Sequence, residues 1–137
     1  MTTLRIAAGP FRFMARMETA LAPKTCQYFQ TLLPYKKKIV HVRWSGEGCW
    51  IPLGENALDF PIENATSYPA PGQFIFYSGG FSETEILLAY GGVRFASKLG
   101  QLAGNHFLTI TDGVAHLAEL GRLALWEGAQ DIIFERA

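Results

Sequence analysis

Apolar residues alternate with polar ones along most of this chain, and that two-residue period predicts strands. Leu4, Ile6 and Ala8 alternate with Arg5 and Ala7, and after Gly9-Pro10 the residues Phe11, Phe13, Ala15 and Met17 alternate with Arg12, Met14, Arg16 and Glu18. Two such runs around a Gly-Pro turn predict an antiparallel hairpin. The same reading predicts strands over Ile39–Trp44, Cys49–Leu53, Gln73–Tyr77, Glu83–Tyr90, His106–Thr111 and Asp131–Glu135. In Ile39–Trp44 the alternation puts Val40, Val42 and Trp44 toward the core and His41 and Arg43 outward. His106 is expected on one face with Leu108 and Ile110. The predicted core contains Phe13, Phe29, Val40, Val42, Phe74, Phe76, Leu108, Ile110, Ile132 and Phe134.

Two segments change period. Ala22, Cys26, Phe29 and Leu33 recur at helical spacing, with Pro23 in the first turn and Pro34 as the stop. Lys36, Lys37 and Lys38 then read as a solvated turn near the helix's negative end. Asp112-Gly113 opens a second helix, in which Val114, Leu117, Ala118, Gly121 and Leu125 share a face, and Gly121 either sits inside that helix or ends it. Gly54 to Gly72 reads as a long ordered loop, and Tyr90 to Asn105 as mostly loop.

The resulting order is β-β-α-β-β-β-β-β-α-β. So many antiparallel strands with so few helices predict a mainly β fold: a closed eight-stranded barrel, which leaves no exposed sheet edge, with the two helices capping its ends. The 137 residues fit one domain spanning 1–137.

Composition narrows the partners. Twelve basic residues balance twelve acidic ones, so the chain carries no electrostatic footprint for nucleic acid or an anionic membrane. No apolar run reaches the ~20 residues needed to span a bilayer. Met1-Thr-Thr-Leu-Arg-Ile lacks the pattern of a signal peptide, and a cytoplasmic location is expected. Cys26 and Cys49 read as small core residues. A neutral, aromatic-rich chain with ten Phe, five Tyr and three Trp is a candidate for a homo-oligomer.

The candidate chemistry is modest. Glu83 and Glu85 share a predicted strand face beside Gly79-Gly80, as an acid–base pair, a cation site or partners of Arg43 or Arg94. Trp44, Trp50, Tyr68, Tyr77 and Tyr90 suffice to line a small-molecule pocket, or to fill the barrel or an interface. His106 reads as a core-edge histidine or a general base. Three histidines without HxH or HxxxH spacing assign no metal, and the Gly-Gly pairs lack the phosphate-loop and dinucleotide patterns, so no cofactor is expected.

Local sequence adds a resemblance. Ala22-Pro-Lys-Thr25 with Tyr28-Phe29, and Leu102-Ala-Gly-Asn-His106 running to Asp112-Gly113, resemble the first helix of cyclophilin and the stretch before its second. Arg43–Glu47, Tyr68–Gly72, Glu83–Glu85, Arg94–Lys98 and Trp126–Ala129 resemble blocks of the bacterial cyclophilin-like proteins of unknown function. The resemblance implies a cyclophilin-like barrel whose outer face forms a binding groove at the third strand. Arg43 is then the first candidate ligand contact, with His41, Trp44, Tyr77, Glu83, Glu85, Leu102 and His106 around it. Prolyl isomerisation is not implied. His41-Val42-Arg43 supplies the family's arginine only with a one-residue offset, Gly48–Gly54 has no Phe-Met-x-Gln counterpart, and the pocket tryptophan falls on Gln101.

The expectation is therefore a domain that binds a small anionic or amide-containing metabolite. The alternative is a hydrolase or isomerase acting on a ureido or lactam compound, with Glu83 or Glu85 as base, Arg43 as anchor and His106 as a further catalytic candidate.

Overall fold

The computed structural model describes residues 3–137; Met1 and Thr2, where the reading of the N-terminus begins, lie outside them. Eight long antiparallel strands close into a barrel: β1 (Thr3–Ala8), β2 (Phe11–Met17), β3 (Tyr35–His41), β4 (Gly46–Pro52), β6 (Gln73–Tyr77), β7 (Glu85–Val93), β10 (Gly104–Asp112) and β11 (Gln130–Arg136). They run around it in the order β2-β1-β11-β3-β4-β7-β6-β10, and β10 pairs back with β2. Short β5 (Ala65–Thr66) adds to β10, and β8 (Ala96–Ser97) with β9 (Gly100–Gln101) forms a separate hairpin. The helices are α1 (Pro23–Gln30) and α2 (Leu117–Glu127), the latter preceded by a 3-10 turn over Val114–His116. Neither is long and apolar enough to cross a membrane.

Alternation fills the barrel as expected. Leu4, Ile6, Phe13, Ala15, Ile51, Phe74, Phe76, Leu108, Ile110, Ile132 and Phe134 are all buried in one cluster. That cluster continues into Ala22, Cys26 and Phe29 of α1 and into Leu117, Leu120 and Ala124 of α2, so each helix seals an end. Phe29 is fully buried and meets Phe107 and Phe134 edge-on, both at 5.1 Å between ring centroids. Cys26 and Cys49 are buried free thiols, and burial pushes both up to about 12. Gly121 lies inside α2, not at its end, and the ring of Tyr90 occupies the space a side chain there would need.

Four expectations give way. The third strand starts earlier, at Tyr35, so Lys36–Lys38 belong to it and not to a turn. Within it Ile39 is the buried inward residue and Val40 is only partly buried, while Val42, just past its end, is partly buried against an outer cluster. The face assignment of this strand is thus reversed: His41 turns inward at the barrel end, and Trp44, 57% exposed, lies beyond the strand. The run misleads because apolar side chains occupy both of its faces. A bulge in β10 between His106 and Leu108 likewise separates His106 from Leu108 and Ile110. Last, the Tyr90–Asn105 connection is not mostly loop. β7 runs on to Val93, and the β8–β9 hairpin folds over the outside of the barrel.

That hairpin creates a second core. Ile75, Leu87, Ala89 and Val93 point outward from β6 and β7 and pack under Phe95 and Leu102. The Gly54–Gly72 loop is ordered through Asn105, whose side-chain amide donates to Thr25 Oγ1 (2.9 Å) and the Pro61 carbonyl (2.8 Å) and accepts from the Glu63 N–H (3.1 Å).

Candidate functional site

Outward-facing residues of β3, β4 and β7 form the floor of a trough on the barrel's outer surface. Antiparallel register sets Val40 opposite Trp50 and Trp50 opposite Leu87, so one apolar row crosses the three strands. One row further, Glu85 lies between Pro52 of β4 and Tyr77 of β6. Walls rise from three segments outside the long strands: Arg43, Trp44 and Ser45 after β3; Ser82 and Glu83 before β7; and Ala96, Ser97 and Lys98 of the β8–β9 hairpin. They enclose about 510 Å³, the size of a small-metabolite site.

Each wall is fastened by hydrogen bonds that the local sequence supplies. Ser45, 3% exposed, donates its hydroxyl to the Ala96 carbonyl and accepts the Ala96 N–H, both at 3.0 Å, while the Arg94 N–H reaches the Ser45 carbonyl at 3.1 Å. On the other side the Ser82 N–H donates to the Tyr77 hydroxyl at 3.0 Å. Thr84 is tied to the Gly54–Ala57 segment by its N–H to the Gly54 carbonyl (3.0 Å) and its hydroxyl to the Asn56 carbonyl (2.7 Å). Gly79 permits this turn: its φ is +91°, and a side chain there would run into Thr84.

The electrostatics centre on Glu85. It is 6% exposed, and among the described residues no protein group donates to its carboxyl. Burial, with the neighbouring Glu83 charge adding to it, raises Glu85 to about 8. A carboxyl in that range is mostly protonated at neutral pH. Arg43 is exposed and forms no ion pair with protein among the described residues, so its guanidinium is open to a ligand.

The structure brings Arg43, His41, Trp44, Glu83 and Glu85 to one pocket. His41 contributes to the wall, but its ring is committed elsewhere: Nδ1 lies 2.8 Å from the Val42 carbonyl oxygen and Nε2 lies 2.7 Å from the Tyr90 hydroxyl. Tyr77, Leu102 and His106 do not line the trough. Tyr77 braces Ser82, Leu102 is buried in the outer core, and His106 Nε2 pairs with Thr109 Oγ1 (2.7 Å), which donates to Glu18 (2.5 Å). Burial holds His106 below the ordinary histidine range. Among the described residues no group of three or more His, Cys, Asp or Glu gathers as metal ligands. Sequence reasoning missed Lys98, Ser45 and Ser82 as pocket residues, and named Trp50 only among the aromatics that could line a pocket or fill the barrel. Only the Arg94–Lys98 and Arg43–Glu47 blocks marked part of this set.

Fold and site together define a closed antiparallel β-barrel domain with a charged, aromatic-rimmed trough on its outer face. The chain belongs to the family described as "Protein of unknown function (DUF3830)", whose model matches residues 4–135. No curated protein matches it significantly. Among solved structures it is similar to McbB, described in complex with tryptophan, at a TM-score of 0.73 and 16% identity over 97% of this chain. The chain covers 44% of McbB, so it spans less than half of that protein. It is also similar to the hypothetical protein AF2241 from Archaeoglobus fulgidus, with a TM-score of 0.63 and 17% identity over 99% of this chain and 95% of the other. At these identities the likeness shows the fold.

Proposed function

We propose that this chain is a cyclophilin-like barrel that binds a small anionic or amide-containing metabolite in the trough between Arg43 and the Glu83/Glu85 pair. The observation that carries this reading is the convergence on one pocket of an unpaired guanidinium, two carboxyls and two tryptophans from separate parts of the chain. Arg43 holds the anionic group through a charge-assisted, forked contact. Trp44 and Trp50 cover the ligand's body. McbB, whose fold this chain resembles in part, is described in complex with tryptophan, a ligand of the size this trough can hold.

A second reading, a hydrolase or isomerase on ureido or lactam compounds, draws on one observation. Glu85, raised to about 8, has the value a general acid needs near neutral pH. His106 has no part in it, because its ring is engaged with Thr109 away from the trough. The offset of Arg43 and the missing glutamine block argue against prolyl isomerisation, and a protease-coupled assay on a proline peptide should show only the uncatalysed rate.

The test of binding is a thermal-shift screen of the full chain against metabolites, followed by calorimetry. A ligand present at 100 times its Kd adds about 2.7 kcal/mol. Arg43→Ala should weaken its binding by ~1.5–3 kcal/mol, and Arg43→Lys should restore only part of that. A hit whose affinity ignores Arg43 would place binding elsewhere.

A further inference from the structure

The trough is polarised along its length, and the strand register shows how. Glu85 marks one end of the β7 floor. At the other end, the Val42 N–H donates to the Gly48 carbonyl, and Gly48 stands opposite Ala89, four residues along β7 from Glu85. Four residues of strand cover roughly 13 Å. Arg43 follows Val42 at that far end, so its backbone and that of Glu85 stand at opposite ends of the trough. Between them the floor is Val40, Val42 and Trp50, with no charged side chain.

The acidic end has a feature that an ordinary solvated glutamate lacks. Glu85 is more than nine-tenths buried and opens into the trough, yet no protein donor among the described residues reaches its carboxyl. Of its neighbours on the flanking strands, Pro52 has no N–H, and the Tyr77 hydroxyl, which accepts the Ser82 N–H, makes no hydrogen bond to Glu85. Glu83 adds negative charge at the same end. Among the described residues no fully buried side-chain oxygen lacks a partner, so the Glu85 carboxyl reaches the surface of the trough and is open to a donor from outside the protein. A cationic donor matches two adjacent carboxyls best.

From this we infer that the trough is a site for a free amino acid, whose ammonium sits at Glu83 and Glu85, whose carboxylate meets Arg43, and whose side chain lies on Val40, Val42 and Trp50. The inference rests on the binding reading above and adds the amine to it. The long, exposed Arg43 side chain can reach from its end of the trough toward the carboxyls. Lys98 and Glu83 stand on the ridge between this trough and a neighbouring one of about 500 Å³. Because Glu85 holds a proton at neutral pH, taking up an ammonium converts it to carboxylate and releases that proton.

Calorimetry on the full chain with three probes separates the claims: L-tryptophan, N-acetyl-L-tryptophan, which keeps the carboxylate and lacks the cation, and tryptamine, which lacks the carboxylate. Tryptophan is expected to bind about tenfold or more tightly than either of the others. Repeating the titration in two buffers of different ionisation enthalpy should reveal proton release with tryptophan and none with the acetylated probe. Glu85→Gln should erase the preference for tryptophan while leaving N-acetyltryptophan unchanged, and Glu83→Gln, a change outside the strands, should reduce that preference even if the first variant fails to fold. Equal binding of tryptophan and N-acetyltryptophan overturns the amine assignment and leaves the anion reading standing. Binding of none of the three at about 10 mM overturns the amino-acid site, and a metabolite screen without an Arg43-dependent hit overturns both readings.

Discussion

The Ser45 hydroxyl and the Ala96 peptide exchange two hydrogen bonds of 3.0 Å, one in each direction, and so clasp the β8–β9 hairpin to the turn after β3. One side chain thereby holds two walls of the trough together. Ser45→Ala removes both bonds and leaves the Ala96 N–H and carbonyl without that partner. The expected cost is about 1–3 kcal/mol of local stability. Amide exchange should show it as faster opening of residues 94–104, with the barrel strands unchanged. Unaltered exchange at Ala96 would mean that the hairpin is held by its apolar contacts alone.

Glu85 gives stability a pH dependence of known sign. Between the ordinary carboxylate range and about 8, the folded chain keeps a proton that the unfolded chain has released. Stability therefore falls as pH rises across that window, because the folded state binds more protons. Glu85→Gln carries no such proton. The variant should have a flatter profile and exceed the parent by about 1–3 kcal/mol near pH 8.5, read from denaturant titrations at several pH values. A parent profile that rises through this range would contradict the burial of the ionised carboxyl.

Gly121→Ala sets two effects against each other. Alanine favours a helix over glycine by about 1 kcal/mol. Here the new methyl overlaps the Tyr90 ring, which its hydroxyl contact with His41 Nε2 at 2.7 Å helps to hold in place. Overpacking should win and destabilise by about 1–3 kcal/mol. A gain in denaturant midpoint would show that the ring moves aside freely.

Phe29 is the hinge of the aromatic core, touching Tyr35, Phe76, Phe107 and Phe134. Phe29→Ala should cost ~3–5 kcal/mol through the cavity it leaves. Denaturant unfolding measures it directly, and a loss below about 1 kcal/mol would mean that α1 does not seal the barrel.

Period-two alternation was sufficient where a strand has one face in the core and one toward solvent, as β1, β2 and β11 do. Phe11 to Met17 and the last strand could be assigned from sequence on that basis, and helical spacing placed Cys26 and Phe29 correctly. The same signal failed where it is physically ambiguous. Ile39, Val40 and Val42 read the same on either face, because the outer surface there is itself covered by Phe95, Leu102 and the β8–β9 hairpin. The bulge that turns His106 away from Leu108 leaves no mark in composition. Arg43, the two glutamates and Trp44 were visible as chemistry, since charged and aromatic residues stand out in a mostly apolar strand pattern. Their meeting was decided by tertiary structure. Residues 43–45, 82–85 and 96–98 are neighbours only because β3, β4 and β7 pair in one register and a hairpin folds back over them, through contacts far apart in sequence that local periodicity cannot encode.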